Sequence, residues 1–232
     1  MSGTREESVI HTDRSSERRV RASLRSESLG VGKAPDLLAL KQRFTSERAR
    51  SDDVPNTAIR ATPSAVLVSV FRDVADELRL VLILRGERGI HGGQVGLPGG
   101  KREPADASLL ETALREVEEE IGLARADIEI LAPLEPLTTQ TSGFRVHPYL
   151  ARIKPPRHWR LASGEIAGIV TPRVRALADP SAHHTETLSF PTWPQNRPVD
   201  CILIEGRHLL WGVTLRVIEP LLPRLLAGDW AI

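Results

Sequence analysis

The segment from Arg85 to Leu123 joins a glycine-rich loop to a run, Arg115-Glu116-Val117-Glu118-Glu119-Glu120-Ile121, that reads at helical spacing. No other stretch restricts the fold as much. A helix with a dense acidic face needs a sheet to cover its apolar stripe, and a glycine-rich loop can bring backbone groups close to a ligand. Ser108 with Glu111 three residues later has the form of a capping box, and Gly122 stands where helices commonly end in a left-handed residue. Leu110, Leu114, Val117 and Ile121 form the expected apolar stripe. Glu116, Glu119 and Glu120 fall at i, i+3 and i+4 on another face, so their carboxylates converge on one patch. Such a patch is commonly just solvated. Like charges gathered in one place repel, however, and a hard cation such as Mg2+, which takes oxygen ligands, makes the clustering physically sensible. Gly99 and Gly100 after Pro98 let backbone approach a ligand, and with Arg85, Lys101 and Arg102 they describe a place for a metal-bound diphosphate.

The rest of the chain supplies the sheet. Ala65–Phe71 and Leu78–Leu84 are apolar, β-branched runs separated by a turn at Asp73–Glu77, and they predict a hairpin that delivers the chain into the glycine loop. Ile128–Leu131, Phe144–Ile153 and Ile166–Val170 read as strands, and Arg173–Leu177 as a helical turn. Cys201–Ile204 and His208–Trp211 predict a second hairpin. Val213–Leu226 predicts a last helix, kinked or split by Pro220 and Pro223. Strands, one central helix, more strands and a final helix fit an α+β or layered α/β/α domain over residues 63–232. Residues 1–34 hold only isolated aliphatics in a mixed-charge background and predict a disordered tail, and 35–62 a short helix, N-capped by Asp36, and a linker.

Lys and Arg number 31 against 30 Asp and Glu, so no global field favours nucleic acid or membrane as a partner. Cys201 is the only cysteine, which excludes a disulfide framework, and its apolar flank marks it as a buried strand residue. No run reaches the ~20 apolar residues of a membrane span and no secretory core is visible, so the expected location is the cytoplasm.

The residues resemble a known family. Arg115 to Leu123 matches the second half of the Nudix box, R-E-U-x-E-E-x-G-U, with Gly100 at its opening glycine and Asp106 where the box usually has its first glutamate. The interval between Asp106 and Arg115 is one residue longer than the usual pattern. Arg85, His91-Gly92-Gly93-Gln94 and Leu97-Pro98-Gly99-Gly100-Lys101 are similar to the additional signature of the coenzyme A pyrophosphatase branch, with Gly86 in place of a usual Ser. The resemblance implies a Nudix fold with a mixed central β-sheet and the Nudix loop-helix-loop. It implies an Mg2+- or Mn2+-dependent hydrolase of a nucleoside diphosphate linked to another group, most closely coenzyme A, and a homodimer. The metal ligands it implies are Glu116, Glu119 and Glu120. Arg115 orients Glu119, and Arg85, His91, Gln94, Gly99, Gly100, Lys101 and Arg102 meet the substrate. Glu165, ahead of the strand at Ile166, is the candidate distant general base. Two other readings stand beside this one: a diphosphatase of ADP-ribose or NADH, and a Nudix-fold module that senses a nucleotide without cleaving it.

Overall fold

The computed structural model describes residues 61–87, 92–139, 143–189 and 195–232. The tail expected over 1–34, and all but the end of the helix and linker expected over 35–62, lie outside these residues, as does His91. No helix among the described residues is long and apolar enough to cross a membrane.

The central strand is β1 (Thr62–Arg72), whose apolar residues alternate between two cores. Ala65 and Leu67 face one side, and Val68 and Val70 the other. A strand covered on both faces reads as an unbroken apolar run, which is why the segment was visible in sequence. The expected second strand divides at Val81. Its first part, β2 (Leu78–Leu80), pairs antiparallel with the end of β1, whereas β3 (Leu82–Arg85) leaves for a separate ladder with β4 (Val95–Gly96) and β9 (Ile166–Val170). The division has a direct cause: the edge of β1 along which β3 would continue is taken by β5 (Gly99–Lys101), which pairs at Ser64, Ala65 and Val66.

On its other edge β1 runs parallel to β8 (Phe144–Ile153), which in turn carries β6 (Ile128–Pro133) and β7 (Leu137–Thr138) antiparallel. The sheet is therefore mixed. Helix α1 (Leu109–Ile121) covers the Ala65 and Leu67 face, together with Val81, Ile83 and Ile153. The opposite face packs against α2 (Val174–Leu177) and the C-terminal helices α3 (Gly212–Ile218) and α4 (Leu222–Leu226). These two end segments are joined by a 3-10 turn at Glu219–Leu221, so the split expected from Pro220 and Pro223 is present. Helices on both faces of a mixed sheet make the α+β, α/β/α arrangement.

A three-stranded antiparallel sheet of β10 (His183–Leu188), β11 (Arg197–Ile204) and β12 (His208–Trp211) completes the domain. The hairpin of β11 and β12 was expected, and Cys201 on it is 1 % exposed. β10 was not expected: HHTETL has almost no apolar alternation, and the strand is set by its backbone ladder to β11.

Candidate active site

Helix α1 begins and ends on local chemistry. Ser108 Oγ accepts from the Glu111 amide at 3.1 Å, and Gly122 closes the helix at φ 68° with its amide on the Glu118 carbonyl. The Glu111 carboxylate pairs with Arg125, 2.5 Å away, so only one arm of the capping box is formed. The apolar stripe differs from the one expected. Ala113, Val117 and Ile121 are fully buried, with Leu109 packed behind them, while Leu110 and Leu114 are only half-buried. The helix is rotated toward the glycine loop, so the row Thr112, Glu116, Glu120 turns inward in their place. Thr112 is fully buried and Glu120 is 3 % exposed.

Two glycines receive these carboxylates. The Gly99 amide donates to Glu120 Oε2 at 2.8 Å. Gly99 has φ 145°, and a Cβ there would stand 2.3 Å from the Ala65 carbonyl oxygen, so the residue type follows from both backbone angle and space. A Cβ on Gly100 would lie 2.4 Å from Glu116 Oε1. The loop thus leaves the Glu116 carboxylate a place against bare backbone.

Arg115 is the hub of the outer side. Its Nε donates to Asp106 Oδ1 at 2.9 Å, its Nη1 to Glu119 Oε2 at 2.9 Å and its Nη2 to the Lys101 carbonyl at 3.2 Å, with Glu116 Oε1 at 3.0 Å. Asp106 also accepts from the Glu103 amide and from Thr112 Oγ1, each at 2.9 Å. Arg115 and these donors hold the Asp106 carboxyl well below the usual carboxylate range. Arg115 is in turn held more firmly cationic, mainly by Asp106. Despite the extra residue between Asp106 and Arg115, the Asp106 carboxylate reaches the guanidinium. Sequence left the role of Asp106 open. The signal was its place at the box's first acidic position.

Charge behaves differently deeper in. Burial pushes the Glu120 carboxyl up to about 7, against the Gly99 hydrogen bond and the Arg85 charge, with Glu116 and Glu165 adding repulsion. Burial also raises Glu116, offset by Arg115, with Glu119 and Glu165 again raising it. Glu116, Glu120 and Glu165 therefore sense one another, and half-buried Arg85 is the nearby cation acting on Glu120. Glu165 is exposed at the start of β9, with its backbone carbonyl accepting from the Gly86 amide at 2.7 Å. Gln94 is half-buried, and its carbonyl accepts from the Arg85 amide. Lys101 is exposed, and Arg102 donates to the Asp106 carbonyl at 3.1 Å, which ties it to the loop.

The three glutamates expected to converge are not equivalent. Glu119, with a side chain 60 % exposed, is engaged by Arg115, whereas Glu116 and Glu120 point to the glycine pair. Among the described residues no three His, Cys, Asp or Glu side chains gather closely enough to hold an ion on their own. What is present fits a hard divalent cation completed by water and phosphate oxygens: the donors are all oxygen, and buried Glu120 and half-buried Glu116 repel each other, with Glu116 partly offset by its ion pair to Arg115. Such an arrangement can hold charge-dense oxygens of a diphosphate beside a carboxylate facing solvent.

Comparison with known proteins bears on the same residues. A model of the NUDIX domain matches residues 61–186. The human mitochondrial coenzyme A diphosphatase NUDT8 is 30 % identical over 201 residues, covering 84 % of this chain and 83 % of that protein. The uncharacterized Nudix hydrolase NudL of Photorhabdus laumondii is 33 % identical over 132 residues, 56 % of this chain and 68 % of its own length. Among solved structures, the Nudix hydrolase RenU of M. smegmatis superposes with a TM-score of 0.50 at 12 % identity, over 74 % of this chain and 89 % of that one, a likeness of fold. With the box on α1, the glycine pair on β5 and the NUDIX domain model matched over residues 61–186, the chain belongs to the Nudix hydrolase family, enzymes that use divalent metal ions and act on diphosphate bonds.

Proposed function

We propose that this Nudix hydrolase is an Mg2+- or Mn2+-dependent diphosphatase of coenzyme A or its acyl derivatives, giving 3′,5′-ADP and a 4′-phosphopantetheine product. The observation that carries the chemistry is the pairing of buried Glu120 with half-buried Glu116 against the Gly99-Gly100 backbone, with Glu165 within electrostatic range. The substrate class is supported by likeness to a coenzyme A diphosphatase over most of both chains, together with the Arg85 to Lys101 signature.

In this reading Glu116 and Glu120 hold the cation, and Glu119 contributes from the Arg115 side. The cation, when bound, supplies charge neutralisation for the phosphoryl oxygens. Arg85 meets a phosphate by charge-assisted hydrogen bonds, and Lys101 and Arg102 lie beside it on the loop. Glu165 takes a proton from the attacking water, whose oxygen bonds to one phosphorus as the bridging P–O bond breaks and the other phosphate leaves. Gly99 holds Glu120 through its amide, and Asp106 holds Arg115, so the carboxylates are oriented before substrate arrives. His91 and Gln94 complete the substrate loop, and a homodimer follows from family likeness.

The test is a panel of coenzyme A, acetyl-coenzyme A, ADP-ribose and NADH with Mg2+ or Mn2+, products identified by mass. Release of 3′,5′-ADP from coenzyme A is the expected result. Intact coenzyme A alongside cleaved ADP-ribose or NADH would replace the substrate assignment, and no turnover of any of them would favour a sensing module.

A further inference from the structure

The departure from the family signature at Gly86 coincides with an unusually close backbone approach. Strand β3 pairs with β9 as Leu84 to Gly168 and then Arg85 to Ile166, a register shift that turns the end of β3 toward the start of β9. There the Gly86 amide donates to the Glu165 carbonyl at 2.7 Å. A Cβ on Gly86 would stand 2.9 Å from the Gly164 oxygen and 3.2 Å from the Glu165 oxygen. Both are backbone atoms, so neither can rotate aside as a flexible side chain would. Gly164 takes φ 80°, a left-handed conformation that turns the chain into Glu165.

The same short loop is fixed from a second side. The Arg160 and Ala162 amides donate to the Ile121 and Glu120 carbonyls at 3.2 and 2.9 Å, and the Glu165 amide donates to the Ala162 carbonyl at 3.2 Å. Glu165 is therefore held between the C-terminal end of α1, which carries Glu116 and Glu120, and the end of β3. A serine at position 86, as the signature usually has, would require the 164–165 backbone to stand farther from β3.

We propose that Gly86 is a positioning residue: its bare Cα and its amide set the distance of Glu165 from the carboxylates of α1. This rests on the reading of Glu165 as the base.

The experiment compares Gly86→Ala, Gly86→Ser, Glu165→Gln, Glu165→Asp and the double variant Gly86→Ala with Glu165→Gln, all in the full-length protein with Mg2+ and coenzyme A. Gly86→Ala is expected to lower kcat on the order of 10- to 100-fold with KM little changed, since displacements near 1 Å at a reacting group cost about that much. Gly86→Ser should be at least as damaging. In the Glu165→Gln background Gly86→Ala should add less than about twofold, because the two changes act through one group. An equal loss in both backgrounds overturns the proposal, as does full kcat in Gly86→Ala when Glu165→Gln is impaired. Glu165→Asp withdraws the carboxylate while leaving the backbone alone, so it tests sensitivity to position even if the Gly86 variants fold poorly. It must also lower kcat, and unchanged kcat beside an impaired Glu165→Gln counts against the proposal. If Glu165→Gln itself retains full activity, the base assignment fails. A crystal structure of Gly86→Ala then decides the placement alone: a Glu165 backbone shifted away from residue 86 supports it, and an unmoved one sinks it.

Discussion

Replacing Glu120 by glutamine is expected to make the metal-free protein more stable while removing its activity. Glu120 is 3 % exposed, and burial moves its carboxyl from an ordinary 4.5 to about 7. The folded protein therefore binds this proton more tightly than the unfolded chain does. The stabilisation tied to that proton is complete below about pH 4.5 and is lost as pH rises through about 7. Above that the charged, buried carboxylate costs on the order of 3 kcal/mol, from about 1.4 kcal/mol for each tenfold change in proton affinity. Glutamine never ionises and keeps an oxygen to accept from the Gly99 amide. At about pH 8 in chelator the variant should melt about 6–12 °C higher than the parent, for a domain of this size. Near pH 4 the two should melt together. Saturating Mg2+ should raise the parent's melting temperature and leave the variant's in place, since only the parent offers the full carboxylate pair. Turnover should fall in parallel. Thermal melts across pH 4 to 8, with and without Mg2+, measure every part of this. Equal gains at pH 4 and pH 8, or no gain at pH 8, would refute the argument that a buried charge is stored at Glu120 for a cation.

The glycine pair offers a contrast between neighbours. Gly100→Ala pushes a methyl group against the Glu116 carboxylate, which can swing away, so it should cost no more than about 1 kcal/mol in stability and lower kcat on the order of 100-fold. Gly99→Ala meets backbone at Ala65 and Val66 with φ at 145°, and should destabilise by about 3 kcal/mol in denaturant melts. Asp106→Asn releases Arg115, and because the native carboxyl is depressed, its stabilisation is present above the ordinary value of 3.8 and lost as pH falls below it. The parent should be the more stable at pH 7, and the difference should shrink on acidification below that value. Deleting residues 1–34 should leave kcat and KM unchanged in steady-state assays, since none of the site residues named above falls in that mixed-charge, aliphatic-poor segment.

Much of this architecture could be read from residues because its local signals agree. Ser108 and Gly122 bracket α1, and the Phe144–Ile153 and Ile166–Val170 runs became strands with those bounds. What stayed hidden depends on backbone partners or on rotation. Gly99–Lys101 is a strand although glycine has no β preference, because it fills the edge of β1 through main-chain bonds alone. The inward turn of Glu120 is likewise set by the glycine loop and not by the apolar periodicity, which pointed to Leu110 and Leu114. The proximity of Glu165 to α1 depends on Gly86 and on the turn at Gly164, and a single sequence shows it only as a loop glutamate.

The parallel pairing of β1 with β8 has a consequence during synthesis. Thr62 is matched to Phe144 and Val70 to Arg152, so the mate of β1 is made about 80 residues after it. At about 5–20 residues per second, β1 leaves the ribosome roughly 4–16 s before β8 exists to pair with it. During that interval a strand built to be covered on both faces has only β2, β5 and α1 as cover, and its β8 edge is open. The nascent chain is thus exposed to aggregation until Ile153 appears, because α1 covers one face of β1 but not its β8 edge. Slower translation past Ile121 would lengthen that exposure.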